Sequence, residues 1–379
     1  DVFANYNLTV IPLFVFMGQV AFHSGISRRL FAAANSWLSG LRGGLAMATV
    51  GACAAFGAIC GSGPATAATM AAVALPEMRR FKYDDALASG TVAAGGGLGM
   101  LIPPSVVFIV YGILTEQSIG KLFMSGVIPG ILVAVLFCGV ISLQCWLNPR
   151  LAPPTSRVSW RERFRKLGGV IETLILFVFV MGGMFAGWFT ATEAAALGAA
   201  GSVAIAVTGR NVSLGKLWQA AQETIRTSCM VMVIVAGATA FGHFLAVTGM
   251  PMQFAGWLTH LPVPSTFIII LIILFYLVAG CFIDSLALIL LTIPIFHPVV
   301  IGLGYDPIWF GVIIVLVTQM GVITPPVGVN VYVVSGIERS LPLQTVFRGA
   351  MPFLLALAVA CALLMVFPQL ATWLPAALE

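Results

Sequence analysis

Asp284 is an acidic residue in an otherwise apolar stretch, AGCFIDSLALILL, and Ser62 is a polar residue between two glycines in CGSGPA. A charged carboxylate among apolar residues is costly, so it is usually paired with a cation or a polar ligand. Asp284 also precedes an apolar helical run, where aspartate is a favourable helix N-cap. The two roles are compatible, and we predict that Asp284 binds a ligand or an ion. Ser62 offers a hydroxyl beside the carbonyls of Gly61 and Gly63, although it could also be an ordinary turn serine.

Two pairs of adjacent prolines interrupt apolar segments, in GMLIPPS (Gly99–Ser105) and GVITPPVG (Gly321–Gly328). Proline removes a backbone donor and clashes with the preceding turn, which costs a helix interior about 3 kcal/mol. Each pair therefore predicts a broken helix with unpaired carbonyl oxygens, which can coordinate cations. Ser105, Thr324 and Asn330 flank the breaks and add side-chain oxygens, although serine and threonine also commonly bond to a carbonyl of their own helix.

The composition places these residues in a membrane protein. Hydrophobic residues make up 60% of the 379-residue chain, charged residues 8%, and the mean hydropathy is +1.06. Soluble domains carry about 25% charged residues. Apolar runs near the roughly 20 residues that span a bilayer recur along the chain. They lie near residues 9–24, 86–114, 122–147, 170–189, 193–208, 227–246, 265–300, 308–336 and 350–374. We therefore predict an all-α, polytopic membrane protein.

The net charge of +5 is concentrated in short clusters of basic residues. They occur at 28–29, 42, 79–82 and 150–166, and no lysine or arginine lies between Thr227 and Glu338. Such clusters mark cytoplasmic loops, so we interpret them as orientation signals and expect no nucleic-acid partner. The longest cluster divides the chain into an N-terminal part (1–147), a basic cytoplasmic loop (148–167) and a C-terminal part (168–379).

The two proline pairs belong to an internal repeat with an offset of 222 residues, which Tyr83-Asp84 and Tyr305-Asp306 also keep. Each half has the order hairpin, short loop, broken helix. The predicted elements are hairpins over about 43–78 and 265–300, and broken helices over about 86–114 and 308–336. The loop after the first hairpin, MRRFKYDD, carries three basic residues, whereas its counterpart, HPVVIGLGYDP, carries none. The positive-inside rule therefore predicts that the repeat is inverted.

Inverted repeats with broken helices are typical of secondary transporters, in which half-helix N-termini face anions and unwound carbonyls coordinate cations. The chain has no Gly-x-x-x-x-Gly-Lys-Ser/Thr motif, and its seven cysteines and four histidines lack metal-ligand spacing. An intramembrane aspartyl protease is the enzyme alternative, because Tyr83-Asp84 and GLGYD loosely match its motifs, but both aspartates lie in predicted loops. A channel would need a continuous polar pore, and few of these spans carry more than one polar residue. We therefore predict a transporter that uses an ion gradient and is not an enzyme.

Six segments occur together in this chain: IPLFVFMGQVAFHSGISRRL, GSGPATAATMAAVALPEMRR, GMLIPPSVVFIVYGILTEQSIGKLFMSGVIPG, TATEAAALGA, IDSLALILLTIPI and GVITPPVGVNVYVVSGI. With them, essentially the whole chain resembles the large membrane subunit of the tripartite ATP-independent periplasmic (TRAP) transporters. The resemblance implies an ion-transporter-superfamily-like fold of the elevator type, in which a core with two hairpins moves against a scaffold. It also implies that N-terminal helical residues precede Asp1.

The resemblance implies Na⁺-coupled uptake of an organic acid anion, such as a C4-dicarboxylate, sialic acid or a related carboxylate, across the bacterial inner membrane. It implies two protein partners in the lipid bilayer and the periplasm: a small four-helix membrane subunit and a periplasmic substrate-binding protein. It implies Na⁺ ions, two or more, and no organic cofactor or transition metal. A conventional ion-coupled anion carrier that works without a binding protein, and a channel, are the alternatives.

The family's cation sites can be transferred by position to the hairpin tips and the breaks. The implied ion-binding residues are Gly61, Ser62, Gly63, Gly99, Pro103, Ser105, Asp284, Ser285, Thr324, Pro325 and Gly328, and the implied substrate-binding residues are Ser62, Asp284 and Asn330. The chain departs from the family pattern twice. Ser285 follows Asp284 where many members have proline, and Val317-Thr318-Gln319 stands where many members have Asn-x-Glu.

Overall fold

The structure is a computed structural model that describes residues 5–153, 159–209, 212–259 and 262–378. Every regular element in these four ranges is a helix. Seven helices are long and apolar enough to cross a membrane, or up to eight if one bent pair forms a single span. The predicted all-α, polytopic membrane fold is therefore confirmed. Within the basic loop predicted at 148–167, residues 154–158 lie outside the described residues.

The described helices follow a short 3-10 turn, Tyr6–Thr9. In chain order they are α1 (Val10–His23), α2 (Ile26–Leu38), α3 (Gly44–Cys60), α4 (Gly63–Arg80), α5 (Asp85–Leu101), α6 (Val106–Thr115), α7 (Ile119–Leu147), α8 (Trp160–Gly168), α9 (Ile171–Phe185), α10 (Ala191–Thr208), α11 (Leu214–Thr248), α12 (Met250–Thr259), α13 (Ser265–Gly280), α14 (Ser285–Gly302), α15 (Pro307–Gly321), α16 (Val329–Ile337), α17 (Leu343–Val366) and α18 (Gln369–Ala377).

α3 and α4 form a first helical hairpin whose tip consists of Gly61 and Ser62. Gly61 ends α3 in the left-handed region, with φ of 66°, which glycine reaches without steric cost. Pro64 stands in the first turn of α4, where its missing N–H group is not needed. α5 then ends at Leu101 and α6 begins at Val106, so the first proline pair lies in the break between two helical limbs.

The second half of the chain has the same order of elements with a longer tip. α13 and α14 form a second hairpin, and four residues, Cys281–Asp284, make up its tip. Seven residues, 322–328, separate α15 from α16, compared with four, 102–105, in the first break. The Pro-Pro peptide bond is cis in both breaks. The two breaks therefore lie between α5 and α6 and between α15 and α16.

Corresponding helices of the two halves make corresponding contacts, some within their own half and some with the other half. α5 packs against α3, α4 and α17, whereas α15 packs against α13, α14 and α7. α6 packs against α14, and α16 packs against α4. The limb that follows each break therefore packs on the returning limb of the other hairpin. Because of this packing, the two hairpin tips approach each other although more than 200 residues separate them in the sequence.

α1, α2 and α8–α11 form a group of helices outside the two hairpin units. α1 contacts α10 and α11, and α9 contacts α10. α2 contacts α3 and α8. α8 meets α9 at an angle of 55°, so it does not continue the axis of that span. α1 and α11 are the members of this group that reach the hairpin tips.

Candidate functional site

A cavity of about 360 Å³ lies between the two hairpin tips. Ser62 and its neighbours line one side of it, and Asp284–Leu286 line the other. Gln19 of α1 and Thr227 of α11 add polar side chains, and most of the remaining wall is apolar. Each half of the chain supplies only one side, so the cavity exists only where both halves are assembled.

Four helices begin at residues that line this cavity: α4 at Gly63, α6 at Val106, α14 at Ser285 and α16 at Val329. Of these, α4 and α14 directly follow the two hairpin tips. The first N–H groups of a helix have no intrahelical acceptor and carry partial positive charge, which favours bound anions. Ser62 makes no side-chain capping bond, whereas Oδ2 of Asp284 accepts a hydrogen bond from the N–H of Leu286 at 3.0 Å. Asp284 is thus a helix cap that also lines the cavity, and its role as a ligand stays a prediction.

The first tip packs directly on the first break. The carbonyl of Gly61 accepts a hydrogen bond from the N–H of Val106 at 3.2 Å. A Cβ atom placed on Gly61 would lie 2.7 Å from the carbonyl oxygen of Pro104. On the other side, a Cβ atom placed on Gly99 would lie 3.0 Å from the carbonyl oxygen of Ser62. Glycine at these two positions therefore allows three backbone segments, and their carbonyl oxygens, to come together.

Thr66 is a buried residue beside the first tip that sequence patterns did not identify. Its Oγ1 lies 2.6 Å from the position of a Cβ atom on Gly99, and the thiol of Cys60 is its polar neighbour. A thiol is a weak hydrogen-bonding group, so the hydroxyl oxygen of Thr66 keeps acceptor capacity for a ligand. Thr66 follows Ser62 by four residues, and this helical spacing is the sequence signal that would have identified it.

The second tip makes a corresponding contact with the second break. The carbonyl of Cys281 accepts a hydrogen bond from the N–H of Val327 at 3.3 Å. Oγ1 of Thr324 donates to the carbonyl of Met320 at 2.7 Å, so this hydroxyl bonds to its own helix. Gly328 has a left-handed φ of 59°, and a Cβ atom there would lie 2.8 Å from the ring of Phe347.

The cavity brings together only some of the residues predicted from the sequence. Those that line it are Gly61, Ser62, Gly63, Asp284 and Ser285. Those that lie in or beside the breaks, outside its wall, are Gly99, Pro103, Ser105, Thr324, Pro325, Gly328 and Asn330. The second group therefore lies outside the wall of the cavity, and its role in cation binding stays a prediction.

Ser105 and Asn330 have structural partners. Oγ of Ser105 donates to the carbonyl of Met100 and accepts from the N–H of Phe108 at 3.4 Å, which caps α6. Asn330 is fully buried, and its Nδ2 donates to the carbonyl of Ala93 at 3.0 Å. Asn330 thus joins α16 to α5, and the structure does not bring it to the cavity for the substrate contact that the resemblance implies.

Gln19 and Thr227 are polar lining residues that sequence reasoning missed. Gln19 lies within the apolar α1, and Thr227 begins the stretch of α11 that carries no charged residue. One turn from Gln19, His23 contacts Glu223 of α11 with 3.2 Å between Nε2 and Oε2. An isolated glutamine within a predicted span was the available signal, because polar side chains in spans are costly and usually face an internal cavity.

Oxygen atoms are the main potential metal ligands at the tips. They comprise the carbonyls of the tips and breaks, the hydroxyls of Ser62 and Thr66, and the carboxylate of Asp284. Among the described residues, no three histidine, cysteine, aspartate or glutamate side chains are grouped so that they could hold a metal ion. Carbonyl and carboxylate oxygens suit hard cations, whereas thiolates and imidazoles suit transition metals. The donor set therefore fits Na⁺.

The sequence matches the family described as "Tripartite ATP-independent periplasmic transporter, DctM component" over residues 1–370, and the chain belongs to this family. It is 38% identical over 373 residues to the C4-dicarboxylate TRAP transporter large permease protein DctM of Pseudomonas aeruginosa, covering 98% of this chain and 85% of that protein. It is 34% identical over 372 residues to the sialic acid TRAP transporter large permease protein SiaM of Vibrio cholerae, covering 98% and 86%.

A solved structure agrees with the fold. The Alcanivorax borkumensis YdaH transporter superposes with a TM-score of 0.55 at 16% identity, covering 98% of this chain and 87% of that one. At this identity the similarity concerns the fold alone. The predicted family is thus confirmed: the chain is a large membrane subunit of a TRAP transporter and a multi-pass protein of the inner membrane. Its relatives are named permeases, which points to transport rather than catalysis.

Proposed function

We propose that this chain is the permease subunit for Na⁺-coupled uptake of an organic acid anion, such as a C4-dicarboxylate or sialic acid. One observation carries the proposal: two helix N-termini and the carboxylate of Asp284 meet at a single cavity. The relatives at 38% and 34% identity are named for a C4-dicarboxylate and for sialic acid, which are both carboxylates. Helix N-termini are suited to carboxylate groups.

The carboxylate of Asp284 gives a physical reason for coupling to a cation. An anion in the cavity is attracted by the N-termini of α4 and α14 but repelled by Asp284. Two carboxylates at close range repel each other, so the anion alone would bind more weakly. A Na⁺ ion between Asp284 and the tip carbonyls would remove this repulsion. The ion and the anion would therefore increase each other's affinity, as thermodynamic linkage in a symporter requires.

We place one proposed Na⁺ site at each tip with its break. The first site would use oxygens of Gly61–Gly63 and of the segment 99–105, together with the hydroxyl of Thr66. The second site would use Asp284 and Ser285 with the segment 324–328. Support comes from the matching contacts, in which Gly61 and Cys281 each accept a hydrogen bond from a residue that follows a proline pair.

The proposed transport cycle uses the two halves as inverted repeats in an elevator movement. The core with both tips would move against α1 and α11, which contact the cavity without belonging to either hairpin. A small four-helix membrane subunit would complete the scaffold, and a periplasmic binding protein would deliver the substrate. Reciprocal packing of α6 on α14 and of α16 on α4 supports a core that moves as one unit.

Uptake by the chain reconstituted with both partners in liposomes tests the proposal. We expect saturable uptake that is lost when Na⁺ is replaced by choline, and no uptake when the binding protein is omitted. Undiminished uptake driven by a pH gradient alone would contradict Na⁺ coupling. Robust uptake without the binding protein would identify a conventional carrier, and a flux that rises linearly with concentration would identify a channel.

A further inference from the structure

Three aromatic rings cluster where α8 packs on α2. The ring centroid of Trp37 lies 6.0 Å from that of Trp160 and 5.7 Å from that of Phe164, both in edge-to-face geometry. These contacts leave Trp37 38% exposed, Trp160 65% and Phe164 60%. Rings that stay this exposed while packing together form an apolar surface, and in a membrane protein tryptophan is typical of the interface between lipid and water.

Basic side chains surround these rings. α8 has the sequence WRERFRKLG, with four basic residues and one acidic residue. The guanidinium of Arg163 lies over the ring of Trp160 at 4.8 Å, and Lys166 pairs with Glu162 at 3.0 Å. Arg161 and Arg165 are exposed, and neither forms an ion pair within the described part of the chain. Two arginines therefore stand beside the rings with their charges uncompensated.

The direction of α8 is that of a helix at the membrane surface. Gly168 and Gly169 end α8, and its axis turns by 55° from that of α9. α9 continues with apolar side chains that face outward, since Ile171 is 51% exposed and Ile175 62%. α8 therefore leads directly into a helix with an apolar outer face. Such a helix, with aromatic residues on one side and basic residues on the other, lies in the interface plane.

We propose that Trp37, Trp160, Phe164, Arg161 and Arg165, here called the aromatic–arginine surface, bind the headgroups of anionic phospholipids in the cytoplasmic leaflet. The rings enter the boundary between headgroups and acyl chains, and the two guanidiniums contact the phosphates. An acidic protein segment would satisfy the arginines, but the exposed rings and the position of α8, directly before a helix with an apolar outer face, favour lipid. The inference rests on the proposed membrane orientation and is independent of the substrate and the coupling ion.

Quenching of Trp160 fluorescence by brominated lipids tests this inference. The full chain in nanodiscs is compared with Trp160→Phe, so that the difference between the two isolates the signal of Trp160. We expect brominated phosphatidylglycerol to quench Trp160 more strongly than brominated phosphatidylcholine. The double variant Arg161→Gln/Arg165→Gln, measured on both backgrounds, should reduce the relative affinity for phosphatidylglycerol roughly 10- to 30-fold. High salt should weaken the preference.

Arg150→Gln/Arg339→Gln is the matched control, because it removes two exposed charges elsewhere on the same predicted side. This control should keep the preference for phosphatidylglycerol at Trp160. Equal quenching by the two lipids, or equal behaviour of the two double variants, would overturn the inference. Absence of quenching by either lipid would also overturn it, because it would show that Trp160 does not contact the lipid. None of these measurements depends on transport. A result that contradicts lipid binding is therefore distinguishable from a result that contradicts the proposed transport function.

Discussion

The two hairpin tips differ in how much protein surrounds them. At the first tip Gly61 and Gly63 are buried, and the adjoining prolines, Pro103 and Pro104, are buried as well. At the second tip Phe282 is 61% exposed and Ile283 38%. Asp284, Pro325 and Pro326 are also exposed. The same sequence of elements has thus produced one enclosed tip and one open tip.

Different parts of the chain hold the two tips in place. The first tip has two residues, and glycine brings its backbone against the first break. The second tip has four residues, and the carboxylate of Asp284 caps the helix that follows. Close backbone packing therefore fixes the conformation of the first tip, whereas a side-chain hydrogen bond fixes that of the second. Equivalent positions in the two repeats are thus held in place by different interactions.

The loops at the other ends of the hairpins differ in the same way. Arg79 of α4 contacts Asp85 at 2.9 Å and Glu338 at 3.1 Å, which ties the first hairpin to both broken helices. After α14, Tyr305 instead stacks on Trp309, with ring centroids 5.2 Å apart. An ion pair in one loop and an aromatic pair in the other agree with the proposal that the first loop is cytoplasmic and the second is not.

Asp284→Asn should have the largest effect on transport. Asparagine keeps the capping bond to Leu286, so local stability should fall by at most ~1 kcal/mol. Loss of the charge removes the proposed contact between the carboxylate and Na⁺, so Na⁺-driven uptake should fall at least ~100-fold. Raising the Na⁺ concentration should restore part of the uptake, which would assign the defect to a cation site.

Ser62→Ala is the matched change at the first tip. Its effect on uptake should be only a few-fold, because the carbonyl oxygens beside Ser62 remain. Near-normal uptake by Asp284→Asn, with normal assembly, would leave Asp284 as a helix cap only. Equal losses of uptake in the two variants would contradict the view that the second tip depends on its side chain and the first tip on its backbone.

Gly61→Ala should have the second largest effect. The new Cβ atom would lie 2.7 Å from the carbonyl oxygen of Pro104, at a left-handed φ of 66°. Either the tip or the break must shift, and we expect uptake to fall at least ~10-fold with a lower melting temperature. Gly304→Ala is the control, because Gly304 also has a positive φ, 81°, but a Cβ atom there would meet nothing within 4 Å.

In Gly304→Ala, the only cost is that of placing a Cβ atom on a left-handed backbone, roughly 1–2 kcal/mol, without a close contact to the break. Uptake and melting temperature should therefore be measured for both glycine variants in parallel. If Gly304→Ala is as damaging as Gly61→Ala, backbone strain alone explains the result. The enclosed first tip would then have no special dependence on its approach to Pro104.

Glu338→Gln should have the smallest effect, on stability alone. The hydroxyl of Ser340 and the nearby Arg79 lower the pKa of Glu338 below its usual value of 4.5. A lowered pKa means that ionised Glu338 stabilises the fold above pH 4.5 and that this contribution disappears as the pH falls through the lowered value. The group is partly exposed, so the change should be at most ~1 kcal/mol, or about 2–4 °C in melting temperature at pH 7.

Melting curves of the wild type and Glu338→Gln between pH 7 and acid pH measure this contribution. Glu116→Gln serves as the control, because Glu116 is exposed and forms no ion pair within the described residues. It should melt like the wild type throughout. A difference for Glu338→Gln that grows as the pH falls would contradict the assigned direction of the pKa shift.

Local features of the fold were predictable because proline and glycine act over a few residues. The break at Pro103-Pro104, the break at Pro325-Pro326 and the turn at Gly61 follow from restrictions on single backbone positions. The meeting of Ser62 and Asp284 does not, because it depends on α6 packing on α14 and α16 packing on α4. No short-range pattern specifies contacts between segments so far apart in the chain.

Side-chain directions were the other feature that the sequence left undetermined. Asn330 lies in a half-helix that is apolar on all sides, so its amide had no predictable direction, and it faces Ala93 of α5. Thr66 looked like one small residue among many in α4, and its position against Gly99 emerges only when α5 packs beside it. The unequal burial of the two tips likewise depends on neighbouring helices rather than on the tip sequences.

The length of α11 and the positions of its charged residues indicate how deep the cavity lies in the bilayer. Its 35 residues, at 1.5 Å each, measure roughly 50 Å, which exceeds the ~30 Å of hydrocarbon. Lys216, Glu223 and Arg226 lie in its first part, and the stretch from Thr227 to Thr248 has no acidic or basic side chain apart from His243. The cavity contacts α11 at Thr227, Met230 and Val231, which is where the uncharged stretch begins.

In the proposed orientation, this cavity therefore lies close to the cytoplasmic surface rather than at the membrane midplane. In the proposed transport cycle, this position would belong to the conformation that releases the substrate to the cytoplasm. To receive cargo from the periplasm, the core would have to travel along α11 by several turns of 5.4 Å each.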